Sequence, residues 1–90
     1  MTDDEIFQLL RPLCARVLSV EPADVTPAAD LRRELGADSL DLAELAMSVE
    51  DVFGLAVQEE ATGRARTVGD VIGLIRSGLV GESRLAGRPV

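Results

Sequence analysis

Residues 35–41 read Leu-Gly-Ala-Asp-Ser-Leu-Asp. A glycine turns the chain, and an aspartate and a serine follow where an amphipathic segment begins. That order sets the hydroxyl of Ser39 at the exposed N-terminus of a helix. A serine in such a place either attacks a substrate or is itself modified. Attack needs a base within hydrogen-bond reach. The chain contains no His, and no carboxylate pair has a recognisable acid, base or metal partner. Ser39 therefore reads as a group acted upon. Without its flanks it would be an ordinary first-turn residue, since Ser and Asp are common there.

The segment that follows carries a second pattern. Leu42, Leu45, Ala46, Val49, Val52 and Phe53 fall at helical spacing and predict one buried stripe. Leu40, Asp41, Glu44, Met47, Ser48 and Asp51 fall on the opposite face, with Asp38 and Glu50 nearby. No basic residue lies between Asp38 and Asp51. Apolar Leu40 and Met47 among unneutralised acids predict a docking surface, with charge for steering and apolar contact for grip. The plainer reading is a solvated acidic face with two incidental hydrophobes.

These residues need a frame, and the pattern predicts one. A first helix spans 3–18, opened by a Thr2–Glu5 capping box, with Ile6, Leu9, Leu10, Leu13, Val17 and Leu18 on its apolar face. Pro12 should bend or break it near residues 8–12. Residues 19–38 form a long connection in which Pro22 and Pro27 discourage helix. Leu31 and Leu35 dip into the core, with one helical turn between Asp30 and Leu35. Gly36 takes a conformation that a Cβ would resist. The second helix covers 39–53, with Asp38 as N-cap, Asp41 supporting the helix dipole and Gly54 as the stop. A short turn of helix is expected over 59–63. A last helix begins at Thr67, with Asp70 three residues on and Val68, Val71, Ile72, Ile75 and Leu79 inward. The fold class is all-α: a small four-helix bundle of three main helices and one short one, with a long first loop. Residues 1–79 make the domain and 80–90 a flexible tail.

Composition narrows the chemistry. Ninety residues, 47 % hydrophobic, suffice for one domain with a compact core. Phe7 and Phe53 are the only aromatics, so the core is aliphatic. The net charge of −7 repels nucleic acid and anionic membrane surfaces and favours partners with basic patches. The lone Cys14 excludes an internal disulfide and reads as a quiet core thiol. No secretion signal and no membrane-length apolar run is visible, which suits the cytoplasm.

With these residues in place, the run LGADSLDLAELAMSVEDVFG, residues 35–54, resembles the acyl carrier protein family, and Asp-Ser-Leu at 38–40 is similar to its modification motif. The likeness extends more loosely from about residue 3 to residue 79. It implies a carrier with no catalysis of its own. Ser39 would bear 4′-phosphopantetheine, attached from coenzyme A by a phosphopantetheinyl transferase that Asp38 helps to orient. The arm's thiol would carry acyl groups as thioesters in fatty acid or polyketide biosynthesis. Leu40, Asp41, Glu44, Met47, Glu50 and Asp51 match positions that contact partner enzymes such as acyltransferases and ketosynthases. Ala46, Val49, Phe53 and Ile72 are expected to line a cleft for the acyl chain. The protein is expected to be a monomer that neither binds nucleic acid nor inserts into membranes. Pro12, the Arg32–Arg33 pair where acids are frequent, Gly73 and the long tail depart from the family's common pattern and point toward a specialised pathway. The alternatives are a peptidyl or aminoacyl carrier, against which Ala-Asp before Ser39 argues, and an unmodified acidic helical adaptor.

Overall fold

Apolar spacing of three and four residues, closed by good caps, produces four helices in the structure, a computed structural model that describes residues 1–86. They are α1 (Asp3–Leu18), α2 (Ser39–Phe53), α3 (Glu59–Arg64) and α4 (Val68–Ala86), with one turn of 3-10 helix at Pro22–Asp24. Among the described residues there is no strand, only an isolated antiparallel bridge between Asp30 and Thr67.

The core is aliphatic. Ile6, Leu10, Leu13 and Cys14 of α1 meet Leu42, Leu45 and Val49 of α2 and Val68, Val71, Ile72 and Ile75 of α4. Neither phenylalanine is fully buried; both pack at the margin. Burial pushes the Cys14 thiol up to about 11, so it stays protonated and unreactive.

The long first loop is built into the bundle. Val25, Ala29, Leu31, Leu35 and Ala37 are all buried, three more than the Leu31 and Leu35 expected. Their backbone is held by α4 and its approach. The Leu31 N–H donates to the Arg66 carbonyl (2.8 Å), Val68 to Ala29 (3.1 Å) and Gly69 to Pro27 (2.8 Å). Buried backbone polar groups need such partners. Asp30 gathers the turn: its Oδ1 accepts the N–H of Arg32 (3.0 Å) and of Arg33 (2.8 Å). The Arg33 N–H, with smaller help from that of Arg32 and from nearby guanidinium groups, holds the Asp30 carboxyl below its ordinary range. Asp70 does the same at the start of α4, where its Oδ2 accepts from Arg66 (2.9 Å) and Thr67 (3.1 Å) while its own N–H donates to Thr67 Oγ1 (3.1 Å). Those backbone donors lower its carboxyl too, Arg66 first.

Several elements differ from the sequence reading. α1 runs through Pro12 without a break. Pro12 and Gln8 are both exposed, so water can replace the hydrogen bond that the Gln8 carbonyl loses. Pro22 opens a 3-10 turn rather than only preventing helix, because its fixed φ suits a first helical position. On α2, Val52 is exposed, not buried; it sits about 80° round the helix from Leu42, at the stripe's edge. Phe53, the last helical residue, is half-buried. α3 passes Gly63 to Arg64. α4 continues to Ala86, beyond residue 79, where the apolar spacing stops, so residues 80–86 belong to the helix rather than to an irregular tail. Residues 87–90 of the expected tail lie outside the described residues.

Candidate functional site

Two anchors set the position of Ser39. The Ala37 N–H donates to the Leu31 carbonyl (2.8 Å), and Leu35 and Ala37 are buried on either side of Gly36. Gly36 has φ +73°, which favours glycine, and this turn redirects the chain out of the core. Asp38 then caps α2. Its Oδ1 accepts the Asp41 N–H (2.8 Å), and Asp41 Oδ2 accepts the Asp38 N–H (3.1 Å). This reciprocal box gives Asp41 a role beyond its charge near the helix dipole. Ser39 is the first residue of α2 and is exposed.

Both carboxylates flanking Ser39 are thus committed to backbone N–H groups. Among the described residues no hydrogen bond joins the Ser39 hydroxyl to a base. The hydroxyl borders a pocket of about 200 Å³ lined by Arg32, Ser39, Leu42, Ala43, Thr62 and Gly63. Ser39 is thus an exposed residue on a fixed turn, beside a hollow.

The outer face of α2 is open. Leu40 is 67 % exposed and Met47 64 %, with Glu44 and Asp51 exposed among them. Asp41 and Glu50 are half-buried. Glu50 is not simply a surface acid, because its Oε2 accepts the Val57 N–H (2.9 Å) and so braces the chain after Gly54. Val52, 48 % exposed, adds an apolar group on one flank of the face.

A second hollow lies between α2, α3 and α4, lined by Leu45, Ala46, Val49, Val57, Thr62, Val71, Leu74 and Ile75. Its volume is about 10 Å³, near what a single water requires, so the interior is closed. Ala46 and Val49 stand at its wall. Phe53 and Ile72 do not line it; α4 contributes Val71, Leu74 and Ile75 instead. Thr62 borders both hollows. It is buried, and its Oγ1 donates to the Gln58 carbonyl (3.3 Å). The sequence reading passed over Thr62, since a threonine in a six-residue helix carries no periodic signal. Arg32, exposed and noted above only for departing from the family's common pattern, borders the Ser39 pocket. Among the described residues no His, Cys, Asp and Glu cluster could hold a metal, and no helix is long and apolar enough to cross a membrane.

The small helical frame, the exposed helix-start serine and the acidic face define a carrier-type domain, and comparison with known proteins specifies the family. A family profile described as "phosphopantetheine attachment site" matches residues 8–75. The chain is 40 % identical over 79 residues to an acyl carrier protein of Coprothermobacter proteolyticus, an alignment covering 88 % of this chain and 96 % of the relative. It is 39 % identical over 77 residues to acyl carrier protein 2 of Ralstonia nicotianae, covering 86 % and 95 %. Among solved structures, a Mycobacterium tuberculosis protein provisionally described as an acyl carrier protein superposes with a TM-score of 0.72 at 28 % identity, covering 79 % of this chain and 95 % of that one.

The chain belongs to the acyl carrier protein family, whose cofactor is 4′-phosphopantetheine. Its members are carriers rather than catalysts, modified by a phosphopantetheinyl transferase and served by biosynthetic enzymes.

Proposed function

We propose that Ser39 is the attachment residue and that the chain carries acyl intermediates as thioesters in fatty acid or polyketide biosynthesis, in the cytoplasm. The observation that carries this reading is an exposed serine on a turn locked by the Asp38–Asp41 box, beside a 200 Å³ pocket and with no base hydrogen-bonded to it among the described residues. In loading, Ser39 Oγ forms the new bond to phosphorus and 3′,5′-ADP leaves coenzyme A. The transferase takes the serine proton, since among the described residues no base is hydrogen-bonded to Ser39. Once attached, the arm supplies a terminal thiol for thioester exchange.

This chain's own work is presentation and docking. Asp38 holds the α2 start and presents a negative charge toward the transferase. Leu40 and Met47 give apolar contact, while Asp41, Glu44 and Asp51 steer basic partners. Glu50 contributes less, because one of its oxygens is engaged with Val57. Tethering converts a diffusing substrate into a local one, at effective concentrations of about millimolar in a docked complex. Ala46 and Val49, with Thr62 above them, border the space into which an acyl chain would insert as α2, α3 and α4 part; Phe53 and Ile72 would take part only after a larger rearrangement. The arginine pair before the motif and Gly73 favour a specialised pathway over general fatty acid synthesis.

Intact mass after incubation with coenzyme A and a permissive transferase tests the assignment. A gain of one phosphopantetheine, abolished in Ser39→Ala, is expected. A wild-type chain that stays unmodified with several transferases would instead make it an acidic helical adaptor.

A further inference from the structure

We propose that Arg32 is an arm-positioning residue, whose guanidinium pairs with the phosphodiester that links the prosthetic arm to Ser39 and lays the arm along the α2–α3 pocket. The inference rests on Ser39 being the attachment residue.

Arg32 and Ser39 border the same hollow of about 200 Å³, and among the described residues Arg32 is the only charged one in its lining. The backbone fixes them relative to each other. The Arg32 N–H is held by Asp30 Oδ1 (3.0 Å), and the preceding residue, Leu31, is fully buried. The Leu31 carbonyl accepts the Ala37 N–H (2.8 Å), two residues before Ser39. So the base of the Arg32 side chain and the hydroxyl are set by one short, hydrogen-bonded loop. Among the described residues no carboxylate forms a salt bridge with the Arg32 guanidinium.

The electrostatics give that cation a task. A phosphodiester on Ser39 adds a negative charge beside Asp38 and Asp41, at the head of a helix whose outer face is acidic. Those carboxylates push the phosphate away from α2. Arg32 borders the same hollow from the first loop and draws the phosphate into it, where Thr62 and Gly63 also stand. A guanidinium offers a forked pair of donors that matches two phosphate oxygens, which an ammonium does not. Arg33 sits in the same turn, its N–H on the same Asp30 oxygen (2.8 Å), but it does not border the pocket, so it supplies the matched control.

The test loads the full chain from coenzyme A bearing a nitroxide on its thiol, and mass spectrometry confirms one arm on each protein. Amide relaxation enhancement at Thr62 and Gly63 then reports how often the arm lies in the pocket. Arg32→Glu should lower it about threefold, the population change that a partly exposed ion pair supports. Arg32→Lys should fall between, and Arg33→Glu should match wild type. The wild-type enhancement should also fall as salt rises, while that of Arg32→Glu stays flat. Equal enhancement in wild type and Arg32→Glu, or an equal loss in Arg33→Glu, overturns the proposal. Should Arg32→Glu fail to load, Arg32→Gln carries the comparison. Failure of both to load would place Arg32 against the transferase rather than the arm and would also overturn it. An unloaded wild type, by contrast, refutes the Ser39 assignment itself.

Discussion

Asp38 is assigned two tasks, a structural cap and a charge for the transferase, and substitution can separate them. In Asp38→Ala the Asp41 N–H loses its 2.8 Å acceptor. That N–H lies at an exposed helix start, so water takes over and the cost is that of a lost cap, about 1 kcal/mol. The carboxylate also interacts with the positive end of α2, worth about 0.3–1 kcal/mol. Together they predict a loss of about 1–2 kcal/mol. For a chain of this length each kcal/mol moves Tm by about 4–8 °C. Asp38→Asn keeps a good cap acceptor and removes only the charge, so it should lose about 0.3–1 kcal/mol. Loading at Ser39 should slow in both variants, by a similar factor, because both lack the charge. Thermal and urea unfolding of the unmodified proteins gives the stabilities, and timed mass spectrometry gives the loading rates. An Asp38→Ala variant as stable as wild type would refute the cap. Normal loading of Asp38→Asn beside slow loading of Asp38→Ala would refute the charge role.

The same structure sets four further outcomes. Glu44→Lys with Asp51→Lys should slow loading by the transferase, more at low salt than at high salt; rates that ignore ionic strength would reject electrostatic steering. Gly69→Ala should destabilise by about 1–3 kcal/mol, since a Cβ there would sit 3.0 Å from the Pro27 carbonyl oxygen and strain the strap that holds the first loop; urea midpoints measure it. Asp30 and Asp70 both have lowered pKa values, so their contribution is fully present above the unfolded carboxylate range and is lost as pH falls through their folded values; the urea midpoint of wild type should drop there, and Asp70→Asn should flatten that drop. Truncation after Gly81 should leave Tm within a few degrees of the full chain, because the buried α4 residues among those described, Val68, Val71, Ile72 and Ile75, all precede the cut; a larger loss would show that the end of α4 packs.

What could be read from the chain and what could not divide along physical lines. α2 was legible to the residue, because a capping aspartate opens it and Gly54, at φ +65°, closes it. Ser39 was legible as an exposed hydroxyl for the same local reason. The strapping of the first loop to α4 was not legible. It is made by the backbone of Leu31, Val68 and Gly69, and backbone hydrogen bonds between distant segments leave no side-chain pattern. Pro12 misled because a proline's cost depends on whether water reaches the orphaned carbonyl, and exposure is a tertiary property. Val52 and Phe53 fell short of full burial because spacing locates a stripe but not where its edge and end meet solvent. Glu50 and Arg32 were not legible in their contacts: only the folded chain shows one bracing Val57 and the other bordering the Ser39 pocket.

The hollow between α2, α3 and α4 holds no more than a single solvent molecule. Interiors packed this densely resist added volume, so a hydrocarbon guest would find no vacancy waiting and would have to wedge its own space open, one methylene after another. Each added carbon would gain burial yet strain the surrounding wall. On the proposed carrier reading, the longest tail it could shelter would therefore be set by how far its own helices stretch, not by the size of any preformed chamber.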